Sequence, residues 1–205
     1  MSNNYCQILV TLVGKLLSFN IVDNTYNKYK TGTGELLISI GNQQQVITLS
    51  AGQEQITQLE QLIGHTIEIT GAIRNYRQNN KKFNVVRVYS AISVEDTYNY
   101  KNQVHAECEL VGLMVKSASK ETKVIQLYFI THEKYDKHTR LNAIIFSDSK
   151  ETQNKIDTLS IGQRYEIKGY IQLNKTDCTA KKISNTEVLQ GDIEVVVSDI
   201  KQMEE

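Results

Sequence analysis

One run of eleven residues occurs twice in this chain, 98 positions apart. Ile63-Gly64-His65-Thr66-Ile67-Glu68-Ile69-Thr70-Gly71-Ala72-Ile73 matches Ile161-Gly162-Gln163-Arg164-Tyr165-Glu166-Ile167-Lys168-Gly169-Tyr170-Ile171, and six of the eleven positions are identical. The same offset lays Leu12-Val13-Gly14 on Leu110-Val111-Gly112, and Val46-Ile47 on Ile144-Ile145. Three separated blocks in one register indicate an internal repeat, so the 205 residues read as two copies of one small domain. The expected organisation is a first domain over 1–98, a short polar linker over 99–103, a second domain over 104–190 and an acidic C-terminal extension over 191–205.

Within each copy, apolar and polar residues alternate at the two-residue period of half-buried strands. The first copy reads as strands over 8–17, 35–40, 45–49, 66–76 and 83–92, with a short helix between the third and fourth. Ser50 is the expected helix cap, with Gln53 at the reciprocal position; Ile56, Leu59, Leu62 and Ile63 form the apolar stripe and Gly64 ends the helix. In the second copy Asp148, Ile156, Leu159, Ile161 and Gly162 take these places. Gly14 and Gly112 interrupt the first strands, and Gly71 and Gly169 the fourth, which suits sharp bends that close a small barrel. The fold class is all-β with one short helix per domain, as two tandem five-stranded barrels.

Five strands with a helix between the third and fourth is the order of the OB-fold, a barrel that often binds oligonucleotides through its second and third strands and two loops. Both copies resemble the OB domain of bacterial single-stranded-DNA-binding proteins. The residues that carry the resemblance are Leu110-Val111-Gly112 in the first strand, Ala143-Ile144-Ile145-Phe146 in the third, and Gly162-Gln163-Arg164-Tyr165-Glu166-Ile167-Lys168-Gly169-Tyr170-Ile171 after the helix. The resemblance implies single-stranded DNA as a ligand and, because two-domain members pair, a homodimer. Family members stack bases on Trp or Phe, whereas this chain has no Trp and must use Tyr and Phe.

Charge distribution points the same way. Lys+Arg and Asp+Glu both number 23, which argues against coating duplex DNA by bulk electrostatics. Yet no acidic residue lies between Glu68 and Glu95, where Arg74, Arg77, Lys81, Lys82 and Arg87 all fall, while the end after residue 186 is acidic. Cys6, Cys108 and Cys178 are odd in number and far apart, so neither a disulfide framework nor a zinc site is expected. With no signal-peptide pattern and no apolar run long enough to span a membrane, a soluble, cytoplasmic protein without membrane partners is expected.

Single strands are held by cations along a groove and by exposed rings on which bases stack. In the first copy, one loop offers Tyr26, Lys28, Tyr29 and Lys30, and the hairpin of strands four and five offers Arg74, Tyr76, Arg77, Lys81, Lys82 and Phe83. Strand parity puts Arg74 and Tyr76 opposite Ile67, Ile69 and Ile73, and sets Arg87 and Tyr89 opposite Val86 and Val88. A solvated hairpin is the plain alternative. The second copy offers Lys134, Tyr135, Lys137 and Arg140 around a long second loop, Tyr128 and Tyr170 on strands, and Lys175 in the last turn; acids among them leave open whether this copy binds or is an interaction module.

His65, His105, His132 and His138 lack metal-ligand spacing, and no nucleophile, nucleotide-loop or dinucleotide motif occurs, so neither an enzyme nor a cofactor is expected. The sequence therefore reads as a tandem OB protein that binds single-stranded DNA with little sequence preference in replication, repair or transfer, with RNA left open. Its rival is an OB-fold adaptor in a replication or nucleic-acid-processing complex, docking proteins through Ile193-Glu194-Val195-Val196-Val197.

Overall fold

A computed structural model describes residues 8–23, 30–78, 81–96, 100–118, 122–132, 138–174, 178–183 and 186–204. The chain divides into two compact units. One is built on residues 9–103 together with 172–193, the other on 104–171 together with 194–205.

The first unit contains β1 (Ile8–Asp23), β2 (Lys30–Ile40), β3 (Gln43–Gly52), α1 (Gln53–Gln61), β4 (Thr66–Gln78) and β5 (Lys81–Ser93). Antiparallel pairings run β4–β1–β2–β3 and β4–β5, and β5 closes on β3 in parallel through Leu49↔Val86 and Ser50↔Arg87. The result is a closed five-stranded barrel with the strand and helix order of the OB-fold. Leu12, Leu36, Ile47, Ile67 and Ile73 fill its interior, and α1 buries Ile56 and Leu59.

The helix starts differ from expectation. Ser50 stays in β3, opposite Thr33 on one side and Arg87 on the other, and Gly52 takes the cap position with no side-chain bond. Pairing on both edges holds Ser50 in the sheet. In the second copy Ser149, not Asp148, caps α2 (Lys150–Asp157), its hydroxyl accepting from Thr152 N at 3.1 Å. Gly64 and Gly162 follow the helices at φ +87° and +86°, as a helix-ending glycine should.

Close approach explains the fourth-strand glycines. A Cβ on Gly71 would lie 2.2 Å from Arg87 O, and one on Gly169 would lie 2.1 Å from Val196 O. On Gly112 the nearest atom is Tyr128 Cδ2 at 3.4 Å, an ordinary distance, so close approach does not account for this glycine. Gly71→Ala is expected to destabilise by about 3 kcal/mol, read as a lower urea midpoint at constant slope, while Gly112→Ala changes the midpoint little. Equal midpoints for the two variants would remove close approach as the reason.

The second unit holds β6 (Asn102–Ala118), β7 (Lys123–His132), β8 (His138–Ser147), α2 and most of β9 (Arg164–Leu173). β6 pairs antiparallel with β7 and β9, and β7 with β8. The chain then forms β10 (Thr179–Ile183) and β11 (Thr186–Gln190), a hairpin of the first unit whose β11 pairs in parallel with β3. There Lys181 Nζ donates to both oxygens of Glu35, at 2.7 and 3.0 Å.

Residues 191–205, expected as an extension beyond the second domain, include β12 (Ile193–Gln202). β12 pairs in parallel with β8 through Val195↔Ala143 and Val196↔Ile144, and Val195, Val196, Val197 and Ile200 are buried. Lys155 on α2 donates to Asp199 at 2.9 Å, and this bond holds the Asp199 carboxyl below its ordinary range. The segment expected to dock partners by strand addition is thus already paired and buried.

Candidate nucleic-acid interface

The β4–β5 hairpin builds the candidate surface from its register. Directly opposite residues share a face, so Ile73↔Val86 and Gly71↔Val88 point into the barrel, while Ala72↔Arg87, Arg74↔Val85 and Tyr76↔Phe83 lie on the other face, where Ala72 and Val85 are buried and Tyr76 and Arg87 exposed. The parity read from the sequence therefore agrees with the register. Between Thr70 and Gly71 the pairing jumps from Ser90 to Val88, making Tyr89 the extra residue of a β-bulge. Its hydroxyl accepts from Arg74 Nη2 at 3.1 Å, which brings Tyr89 onto the outward face.

Tyr76 and Phe83 form a cross-strand pair with ring centroids 5.3 Å apart and planes tilted by 56°. Tyr76 is 46% exposed and Tyr89 39%. This face thus carries exposed Tyr76, Tyr89 and Arg87, with Phe83 and Arg74 half-buried beside them. Arg87 continues it to Ser50 of β3 and, with Lys30, lines a cavity of about 690 Å³ at the start of α1.

The outward face of β2 and β3, where OB barrels often bind oligonucleotides, is different here. Its described members include Glu35 opposite Thr48 and Thr33 opposite Ser50, and Glu35 is engaged by Lys181. Tyr76, Phe83, Tyr89, Arg74 and Arg87 lie on β4 and β5 instead. Arg77 pairs with Lys82 and Gln78 with Lys81 along the backbone, but the side chains of Arg77, Lys81 and Lys82 lie outside the described residues. So do Tyr26, Lys28, Tyr29, Lys134, Tyr135, Lys137 and Lys175.

In the second unit the outward face of β7 and β8 carries Tyr128 opposite Asn142, Arg140 opposite Ile130, and Phe146 opposite Val124. Tyr128 donates its hydroxyl to Met114 Sδ at 3.3 Å. Phe146, part of the barrel motif in the sequence, lies at an even spacing from Asn142 and so on the face of Tyr128. Tyr170 lies on β9, which pairs with β6 and not with β7 or β8, so it is not grouped with Tyr128.

No group of three or more His, Cys, Asp or Glu among the described residues is placed to hold a metal ion. No helix among them is long and apolar enough to cross a membrane.

No family model matches the chain, and no curated protein sequence matches it. Solved structures do. The wild-type single-stranded DNA binding protein from Thermus aquaticus superposes with a TM-score of 0.73 over 98% of this chain and 95% of its own, at 14% identity. A deletion mutant of the same Thermus protein gives 0.73 over 98% and 96%, at 13% identity. The likeness is one of fold. It extends over nearly the whole chain.

Proposed function

We propose that the chain is a pair of OB barrels, β1 to β5 and β6 to β9 with β12, that binds single-stranded DNA with little sequence preference. The observation that carries this reading is the β4–β5 face on which exposed Tyr76, paired with half-buried Phe83, stands beside Arg74, Tyr89 and Arg87. The near-complete match in fold to a single-stranded DNA binding protein supports it. Bases stack on Tyr76 and Phe83, and the neighbouring guanidinium groups neutralise phosphates, with Lys28, Lys30, Arg77, Lys81 and Lys82 as further cations and Tyr26 and Tyr29 as further rings. In the second barrel Tyr128, Phe146 and Arg140 offer a smaller version of the same chemistry. Single-strand binding of this kind serves replication, repair or transfer, and a homodimer would place four barrels on one strand.

The test is fluorescence anisotropy of a labelled thymine oligonucleotide, with duplex DNA and RNA as competitors, across a salt series. Binding that weakens with salt and resists duplex competition is expected, and the log-log slope counts phosphates at about 0.7 per contact. Absence of binding at low salt would overturn the reading. RNA competing as well as DNA would make it a general single-strand binder.

A further inference from the structure

The rings of the β4–β5 face stand on a part of the hairpin that the barrel wall does not hold. β1 pairs with β4 as far as Ala72, and β3 pairs with β5 at Val86 and Arg87. Among the described pairings, residues 74–78 and 81–85 have only each other. A two-stranded ribbon is at best marginally stable alone, so the pose in which it carries Tyr76 and Phe83 depends on what fastens it.

The fastening is Asp192, in the segment 172–193 of the same unit. Asn84 is buried, and its N–H donates to Asp192 Oδ1 at 2.8 Å. β3 does not reach this part of β5, so the carboxylate supplies the acceptor that a neighbouring strand would otherwise provide. The same oxygen accepts from Ile193 N at 2.9 Å, and Asn84 Nδ2 donates to Ile193 O at 3.3 Å. Asn84 Oδ1 in turn accepts from Asn75 Nδ2 at 2.5 Å, which ties both strands of the ribbon to one point. The segment is anchored to the barrel: Leu173 N donates to the buried Gln45 Oε1 at 2.9 Å, Asn174 N to Asp192 O at 2.8 Å, and β11 pairs with β3.

Phe83 directly precedes Asn84, and Tyr76 directly follows Asn75. We infer that Asp192 is a positioning residue for strand binding: through Asn84 and Asn75 it sets the pose of the ring pair without touching the strand itself. The inference rests on the reading of Tyr76 and Phe83 as a stacking surface and adds to it a carboxylate from a distant segment of the chain. Charge alone predicts the reverse effect. A carboxylate near a surface that binds phosphates repels them, so its removal should tighten binding. Loss of the fastening should weaken it, because the rings must then be ordered as the strand binds.

The full chain and its Asp192→Ala and Asp192→Asn forms would be titrated with the labelled thymine oligonucleotide across a salt series. Asp192→Ala is expected to bind about tenfold more weakly, with an unchanged log-log slope. Asp192→Asn keeps an acceptor beside Asn84 N and is expected to restore binding. In a chain already lacking both rings, Tyr76→Ala with Phe83→Ala, the change Asp192→Ala is expected to weaken binding no further. A purely structural role would lower the melting temperature and leave the affinity of the folded protein as it was. Equal or tighter binding by folded Asp192→Ala overturns the inference while leaving single-strand binding intact, and so does an equal loss in Asp192→Asn or in the ring-free chain. Should Asp192→Ala fail to fold, Asp192→Asn and the unaltered protein decide: the Asn84 amide should exchange slowly with solvent, and fast exchange there overturns the inference. Failure of the unaltered protein to bind would overturn the functional reading and the inference with it.

Discussion

A chain ended at Ile193 is expected to lose the fold of the unit that holds β6 to β9. The twelve residues removed, 194–205, take Val195, Val196, Val197 and Ile200 out of the core, where each is at most 5% exposed. At about 1.5 to 3 kcal/mol per buried aliphatic side chain, the loss is comparable with the whole stability of a typical domain, about 5 to 15 kcal/mol. It also strips the parallel partner from Ala143 and Ile144 of β8 and removes Asp199 from Lys155. Hydrogen exchange followed by mass spectrometry reads the outcome segment by segment. Lost protection in β6 to β9, with protection kept in β1 to β5, is the expected result; full protection in both would show that β12 is dispensable. The cut leaves Asp192 and its bond to Asn84 N in place, so the first unit keeps that contact.

Replacing both Tyr76 and Phe83 by Ala is expected to weaken oligonucleotide binding by about a hundredfold, and Tyr76→Ala alone by about tenfold, since a stacked base contributes roughly 1 to 3 kcal/mol. Tyr76 is nearly half exposed and lies outside the barrel core, so its melting temperature should change by only a few degrees. Salt dependence separates a stack from a charge. Removing rings should leave the log-log slope unchanged, whereas Arg74→Ala should lower it by about 0.7. Wild-type affinity in the double variant would mean that the outward face of β4 and β5 is only a solvated hairpin.

The strand order of the first unit was legible because it depends on local alternation and on glycines that the backbone itself requires. Gly71 and Gly169 keep the offset of 98, yet their close neighbours Arg87 and Val196 are 109 apart. The eleven additional residues fall where β10 and β11 stand between β9 and β12, so β12, the strand that pairs with β8, lies beyond residue 190, where the register of the repeat does not find it. Alternation cannot reveal that, because Ile193 to Val197 is apolar at four of five positions and reads as any short buried or docking strand. The cap at Ser50 failed for a related reason: a pairing distant in sequence kept it in β3. Parity on β4 and β5 survived even the bulge at Tyr89, because the extra residue falls on β5 and leaves the count along β4 intact. The cavity was not legible, since Lys30, Gly52, Gln55 and Arg87 meet only once the barrel has closed.

The division of the chain into 9–103 with 172–193, and 104–171 with 194–205, also bears on ancestry. Two equal copies placed end to end can be separated, exchanged or lost one at a time. Because residues 172–193 belong to the first unit, neither unit is a contiguous stretch of the chain. Deleting residues 104–205 would therefore take 172–193 of the first unit with it, whereas deleting residues 9–103 would leave 172–193 behind without the rest of its unit.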